Sequence, residues 1–256
     1  MLQTLAERYE SLMIVMIILS FTGTGLVLVW IFTSARRRPS VLSYDGIVGP
    51  FFGLPAVLFS LTTALNATSL WDNYAVATKA VRGESQSLMT IISLAESIPA
   101  LQSSGLVDHA RSYARSVVED EWETLSPGME PSAVTRTRYV QLRAALFDAI
   151  DRLGDSAEAR TLQAELQHFS VARATRLAYV SFDVHATRWY ALIALAILVQ
   201  AAVAFVHIPK PKALKAAMCI ATLTILVPLC TMAVTVSTPY QGMVAISSDP
   251  FRLVLR

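Results

Sequence analysis

Charged side chains are scarce in this chain. They make up 16% of its 256 residues, against 54% hydrophobic ones, and the mean hydropathy is +0.49. A soluble domain carries about a quarter charged residues. The apolar residues here are also gathered into long runs. Together these features exclude an ordinary soluble protein and point to an integral membrane protein with a soluble portion. Cysteine is nearly absent. Cys219 and Cys230 lie in one apolar run, so a disulfide framework is excluded, and both are expected to be small apolar core residues. The four histidines, His109, His168, His185 and His207, are scattered. No HExxH, GxSxG or P-loop spacing is present. No nucleophile–base pair stands out, so no catalytic residue, cofactor or metal site is expected, and the chain reads as a non-enzyme. With no long basic stripe, Gly-rich aromatic motif or zinc spacing, a nucleic-acid partner is not expected either.

What is present is a set of four apolar runs. The first spans Ser11 to about Thr33, long enough to cross a membrane, and is followed by Arg36-Arg37-Arg38. Without a basic leader it reads as a retained anchor rather than a signal peptide. The second begins near Val48, with Pro50 at its start and Pro55 as a kink or broken entry. From about Trp71 to Arg188 charges appear throughout and the apolar residues turn periodic. A helical extension is expected through Ala95 to Pro99, and a second helix from Ser103 or Ser104 to Leu125. A break follows at Ser126-Pro-Gly-Met-Glu-Pro131. A third helix is expected from a Ser132 cap to Arg152, ended by Gly154, and a fourth opens with a capping-box spacing at Asp155-Ser-Ala-Glu158. No strong breaker separates Ala157 from Phe205, so this helix is expected to run into the third span, Trp189 to about His207. The fourth span covers about Ala216 to Val236 and holds Pro228. The fold class is therefore all-α: a polytopic membrane protein with four transmembrane helices and a helical soluble domain between the second and third spans. The expected division is 1–70 membrane, 71–188 soluble and 189–256 membrane with a short tail.

The second span is the most informative stretch. Thr62, Asn66, Ser69 and Asn73 recur in steps of four, three and four, which places them on one helix face. Such a stripe must meet protein or water, because lipid cannot satisfy it. It reads either as a lining for hydrated ions or as helix-to-helix hydrogen bonding. Phe52, Pro55 and Phe59 lie earlier on the same extended face and would form an apolar constriction. Asp72 would be a pore-mouth charge that attracts cations, with Asp183 and Arg188 near the same junction. Helix-end ion pairing is the alternative for these. The run Glu119-Asp-Glu-Trp-Glu123 reads as a solvated face, with Arg115 four residues before Glu119 available for pairing. Trp30, Trp71, Tyr74, Trp189, Tyr190 and Tyr240 fall at span ends, as interfacial anchors do. The two short hairpins carry Arg36, Arg37, Arg38, Lys210, Lys212 and Lys215, so the positive-inside rule puts them in the cytoplasm and the helical domain outside.

Three stretches carry a family resemblance: Leu65-Asn-Ala-Thr-Ser-Leu-Trp-Asp-Asn-Tyr-Ala-Val-Ala-Thr-Lys-Ala-Val-Arg-Gly-Glu84, Tyr113-Ala-Arg-Ser-Val-Val-Glu-Asp-Glu-Trp122, and the tail Thr238-Pro-Tyr-Gln-Gly-Met-Val-Ala-Ile-Ser-Ser-Asp-Pro-Phe251. In order and spacing they resemble the bestrophin-like family of membrane proteins. The resemblance implies four spans, a helical domain, and a homo-oligomeric ring, a pentamer in bestrophins, with an ion pathway along the second span. Its partners would be other copies of itself, the lipid bilayer of the cell membrane and permeating inorganic ions. Aligning the Trp71–Tyr74 ending puts Gly53, Val57 and Leu61 near the apolar neck positions of animal bestrophins, a different face from Phe52, Pro55 and Phe59. The tail holds only Asp249 as an acid, so calcium control is not implied. The resemblance also implies a cytosolic helical domain, opposite to the orientation from charge. The alternative function is a membrane sensor or interaction protein whose helical domain binds a ligand or partner.

Overall fold

The computed structural model describes residues 2–34, 49–125, 131–180, 186–208, 210–236, 239–241 and 244–256; for 2–9, 49–52, 186 and 235–236 the backbone alone is described. Among the described residues every regular element is helical. We label the α-helices α1 (Leu2–Thr33), α2 (Gly49–Ser97), α3 (Leu106–Ser116), α4 (Ala133–Leu153), α5 (Ala157–Ala178), α6 (Ala186–Val206), α7 (Pro211–Val236) and α8 (Asp249–Val254). Four stretches are long and apolar enough to cross a membrane: Glu10–Thr33, the α2 segment from Gly53, Thr187–Val206 and Pro211–Val234. The chain divides into two compact units, one built from 8–71 and 183–236, the other from 1–7, 72–182 and 237–256.

α2 contributes to both units. At 49 residues it is about 74 Å long, more than twice the ~30 Å hydrocarbon layer of a bilayer. Its charged later part therefore lies outside the hydrocarbon. Pro55 removes one backbone donor, yet the helix continues through it.

In the first unit, α1, α2, α6 and α7 pack around Phe21, Phe59, Leu70, Leu192, Ala196, Ile225 and Leu229. A further cluster of Phe32, Val203, Ala204, Leu214 and Met218 joins α1, α6 and α7. In the second unit, the later part of α2 presents Ala77, Val81, Leu88, Ile91 and Ala95 to α3, α4, α5 and α8.

Local signals behave as their chemistry requires. The Ser132 hydroxyl accepts from Thr135 N–H at the start of α4. Gly154, at φ +58°, ends that helix, in a backbone region that a side chain disfavours. The cap of α5 is Ser156, which accepts from Ala159 N–H at 3.0 Å. This differs by one residue from a box opened at Asp155, whose carboxylate instead pairs with Arg160 at 2.6 Å.

Three larger expectations are corrected. The helix expected to run to Leu125 is α-helical only to Ser116; a π turn, Val117–Glu121, and a 3-10 turn, Trp122–Thr124, complete it. α5 ends at Ala178 instead of running into the third span, because Tyr179 leaves the helical region at ψ 20°. Cys219, expected in a core, is exposed, and Cys230 is half-buried.

Candidate functional site

Two constellations concentrate the polar chemistry, one in each unit. In the membrane unit the first lies along α2. Its buried side is Phe59, Thr63, Asn66 and Leu70. Its exposed side is Leu54, Leu58, Leu61, Leu65, Thr68 and Asp72, in alternating steps of four and three. That spacing gives one continuous strip along a helix. Val57 flanks the strip and is 61% exposed.

The residues expected to line a pathway are thus split. Phe59 and Asn66 are buried within the chain's own helices. Pro55, Thr62, Ser69 and Asn73 are half-buried between the two sides, and Asp72 is exposed. The Phe52 side chain lies outside the described ones, as does Asp183. Asn66 donates from Nδ2 to Thr62 O at 2.8 Å, Thr68 donates to Ala64 O at 2.9 Å and Ser60 to Val57 O at 3.0 Å. These groups satisfy themselves on their own helix, so they can sit at membrane depth without a partner helix. Trp30, Trp71 and Tyr190 are more than half exposed, while Trp189 packs into the unit's core.

The same unit holds a polar knot that sequence reading missed. Gln200 is fully buried on α6. Its Nε2 donates to Phe21 O and to Thr222 Oγ1, both at 3.0 Å. The knot therefore ties α1, α6 and α7 together. Gly25 makes room for it, since a Cβ there would stand 3.0 Å from Thr222 Oγ1.

In the other unit a charge cluster is sealed from solvent. Arg176 donates from Nε to Glu84 Oε2 at 2.6 Å, and from Nη2 to Glu84 Oε1 at 3.2 Å and to Glu121 Oε2 at 2.6 Å. Arg173 donates from Nη2 to Glu121 Oε1 at 3.1 Å and from Nη1 to the Tyr113 hydroxyl at 2.5 Å. That hydroxyl in turn donates to Glu84 Oε1. The two guanidinium and two carboxylate charges cancel, which makes the burial tolerable. Arg176 also stacks near the Trp122 and Phe251 rings, and Arg173 over Tyr113 and Tyr139. The Tyr240 hydroxyl donates to Arg176 O at 2.9 Å. Burial pushes the Tyr113 phenol well above its ordinary range, with Glu84 adding to the effect. Burial alone would lower Arg176, but Glu84 and Glu121 outweigh it and hold the guanidinium well above its usual value.

This cluster overturns two expectations. Glu119, Asp120 and Glu123 are exposed, but Glu121 is fully buried. The π turn adds a residue to the helical winding there, and Glu121 meets Arg173 and Arg176 instead of water. Tyr240, expected at a membrane interface, is 3% exposed in the core of this second unit and packs edge-on against Trp122. A sequence signal did exist. Leu162, Leu166, Phe169, Arg173 and Arg176 follow one 4-3 register on α5, so two arginines occupy positions where the pattern calls for apolar residues. Glu84 stands likewise between Val81 and Leu88 on α2.

The cluster gathers residues from all three stretches on which the family resemblance rests: Glu84 from the first, Tyr113, Glu121 and Trp122 from the second, Tyr240 and Phe251 from the third. Among the described residues no group of three or more His, Cys, Asp or Glu side chains could hold a metal. Apart from Arg176 Nη1, which is buried without a hydrogen-bond partner, the cluster's buried polar side-chain atoms pair with one another, and its chemistry is cohesive.

A search of curated proteins returns no sequence match. Solved structures do match in fold. A crystal structure of a membrane protein aligns with a TM-score of 0.71 at 11% identity, over 95% of this chain and 96% of that one. A single-substitution variant of a bacterial bestrophin homologue from Klebsiella pneumoniae aligns at 0.70 with 9% identity, over 95% and 96%. Another structure of a bacterial bestrophin homologue from that organism aligns at 0.66 with 10% identity, over 92% and 96%. The model of the Bestrophin-like domain matches residues 19–251. With that match over most of its length, the shared fold and the four apolar spans, the chain is a membrane protein that belongs to the Bestrophin-like family.

Proposed function

We infer that the chain is the subunit of a homo-oligomeric ion channel, a ring of copies with the second span of each facing a central axis. Family membership and the fold support this reading. The observation that carries it is the exposed strip of α2. Leu54, Leu58, Leu61 and Leu65 give way along one face to Thr68 and Asp72. Any span turns polar where it leaves the hydrocarbon; on a face turned toward an axis the same passage would run from an apolar constriction to a hydrated mouth. Leu61 also lies near a neck position implied by the resemblance. Thr62, Ser69 and Asn73, half-buried beside this strip, would complete the wall, with Pro55 at its narrow end. Phe59 and Asn66 would act from behind, fixing the rotation of the helix. A ring of about five copies accords with the resemblance, and the hairpin lysines and arginines favour a cytoplasmic position for the basic loops.

The test is cysteine accessibility in a background where Cys219 and Cys230 are replaced by serine. Charged thiol reagents should block flux when cysteine is placed at Leu58, Leu61, Leu65 or Thr68. They should not block it at Phe59, Thr63 or Leu70. Block at the second set and not the first would reject this face as the lining.

A further inference from the structure

The second unit carries a groove between the later part of α2 and α5 that the buried charge cluster leaves unused. It has two halves, which share Gly83 and His168. One, of about 400 Å³, is apolar at Val76, Ala80, Val171 and Ala172 and is also lined by Lys79. The other, of about 280 Å³, is polar and is lined by Gln86, Ser87, Thr90 and Glu165. Gly83 lets the helices approach, since a Cβ there would stand 3.7 Å from Ala172 Cβ. The helices run antiparallel along the groove, with Lys79 toward Thr175 and Thr90 toward Glu165. From Lys79 to Thr90 α2 rises about 16 Å, so Lys79 and Glu165 stand at opposite ends.

Each end holds a charge with no partner of its own. Lys79 is exposed and Glu165 is half-buried, and neither enters an ion pair among the described residues. His168 is the only other titratable group that lines the groove. The deepest polar group is Ser87, 4% exposed. Its neighbours spend their hydroxyls on their own helix: Ser85 donates to Arg82 O at 3.0 Å and Thr90 to Gln86 O at 3.1 Å. Ser87 forms no hydrogen bond among the described residues, although buried hydroxyls as a rule have a partner. Thr90 Oγ1, with its proton committed, only accepts, as does the Glu165 carboxylate. The polar half therefore offers acceptors beside a negative charge, the setting for an ammonium group with its three donors. The far end offers the Lys79 ammonium, which suits a carboxylate.

We propose that this groove binds an elongated zwitterion, an ω-amino carboxylate. Glu165, Thr90 and Ser87 hold its ammonium, the apolar half takes its hydrocarbon, and Lys79 meets its carboxylate. A simple amine or a simple carboxylate would satisfy one end and leave the other unpaired. The inference concerns the second unit alone and does not depend on ion conduction.

The test is isothermal titration of the purified full-length protein in detergent at neutral pH with three matched probes: ω-aminooctanoate, its amide ω-aminooctanamide, which keeps only the ammonium, and ω-acetamidooctanoate, which keeps only the carboxylate. The wild type should bind the zwitterion at least several-fold more tightly than either capped probe. Glu165→Gln should weaken the zwitterion about tenfold or more, the worth of a hydrogen bond to a charged group, and Ser87→Ala about fivefold. Lys79→Met should weaken the zwitterion and leave the affinity for ω-aminooctanamide unchanged, a split that a merely structural role would not produce. Circular dichroism should show an intact helical fold in each variant. No binding of ω-aminooctanoate by the wild type, equal affinity for the zwitterion and a capped probe, or wild-type affinity in Glu165→Gln would overturn the proposal.

Discussion

Arg176→Met tests the buried cluster most sharply. The substitution keeps an unbranched apolar stem but deletes three donated hydrogen bonds, two to Glu84 and one to Glu121. Glu84 would keep the Tyr113 hydroxyl and Glu121 would keep Arg173, so two carboxylates would share one guanidinium in a site closed to water. Removing one partner of a buried ion pair costs about 3–5 kcal/mol. Arg160→Ala breaks a pair of the same 2.6 Å length at Asp155, but there both groups are largely exposed, and such pairs contribute about 0–1 kcal/mol. Thermal unfolding of the detergent-solubilised protein, followed by circular dichroism, should show a fall of roughly 10 °C for Arg176→Met and a shift of at most a few degrees for Arg160→Ala. The double change Arg176→Met with Glu84→Gln should recover part of the loss, because the uncompensated charge is removed with its partner. Equal shifts for Arg176→Met and Arg160→Ala would refute the argument that burial makes this cluster matter.

Alkaline pH should act on the same unit. Tyr113 and Tyr240 are both raised by burial, so the unfolded state loses these protons first. Their contribution is present in full below about pH 10 and declines as pH rises beyond it. Tyrosinate absorbance should therefore show two phenols ionising together with unfolding, and one fewer in Tyr240→Phe. Gln200→Leu should weaken the union of α1, α6 and α7 by about 1 kcal/mol, and Gly25→Val should cost more by driving a side chain into Thr222; midpoints in a detergent titration would rank them. Ser156→Ala should remove the α5 cap at a cost of about 1 kcal/mol, read by thermal unfolding.

Much of the fold was legible because it is written in local terms. Span length, turn glycine and cap serine each act within a few residues, and they located the four apolar helices, the Ser132 cap and the Gly154 stop. What was not legible depends on partners far away in sequence. Glu121 differs from Glu119 and Asp120 only through Arg173 and Arg176, more than fifty residues on. Tyr240 reads as a span-end aromatic until α5 and Trp122 close over it. Spacing groups the polar residues of α2 along one helix face, but spacing alone does not say which side the other helices cover. Packing turned Asn66 inward and left Leu61 and Leu65 out.

The most direct measurement is ion flux from proteoliposomes containing the purified, assembled protein under separate Na⁺, K⁺ and Cl⁻ gradients. The account predicts flux under at least one gradient. It also predicts an increase with Leu61→Ala, which widens the apolar strip, and a change in the cation-to-anion ratio with Asp72→Asn. No flux under any gradient, from protein shown to be assembled and folded, would contradict the channel reading.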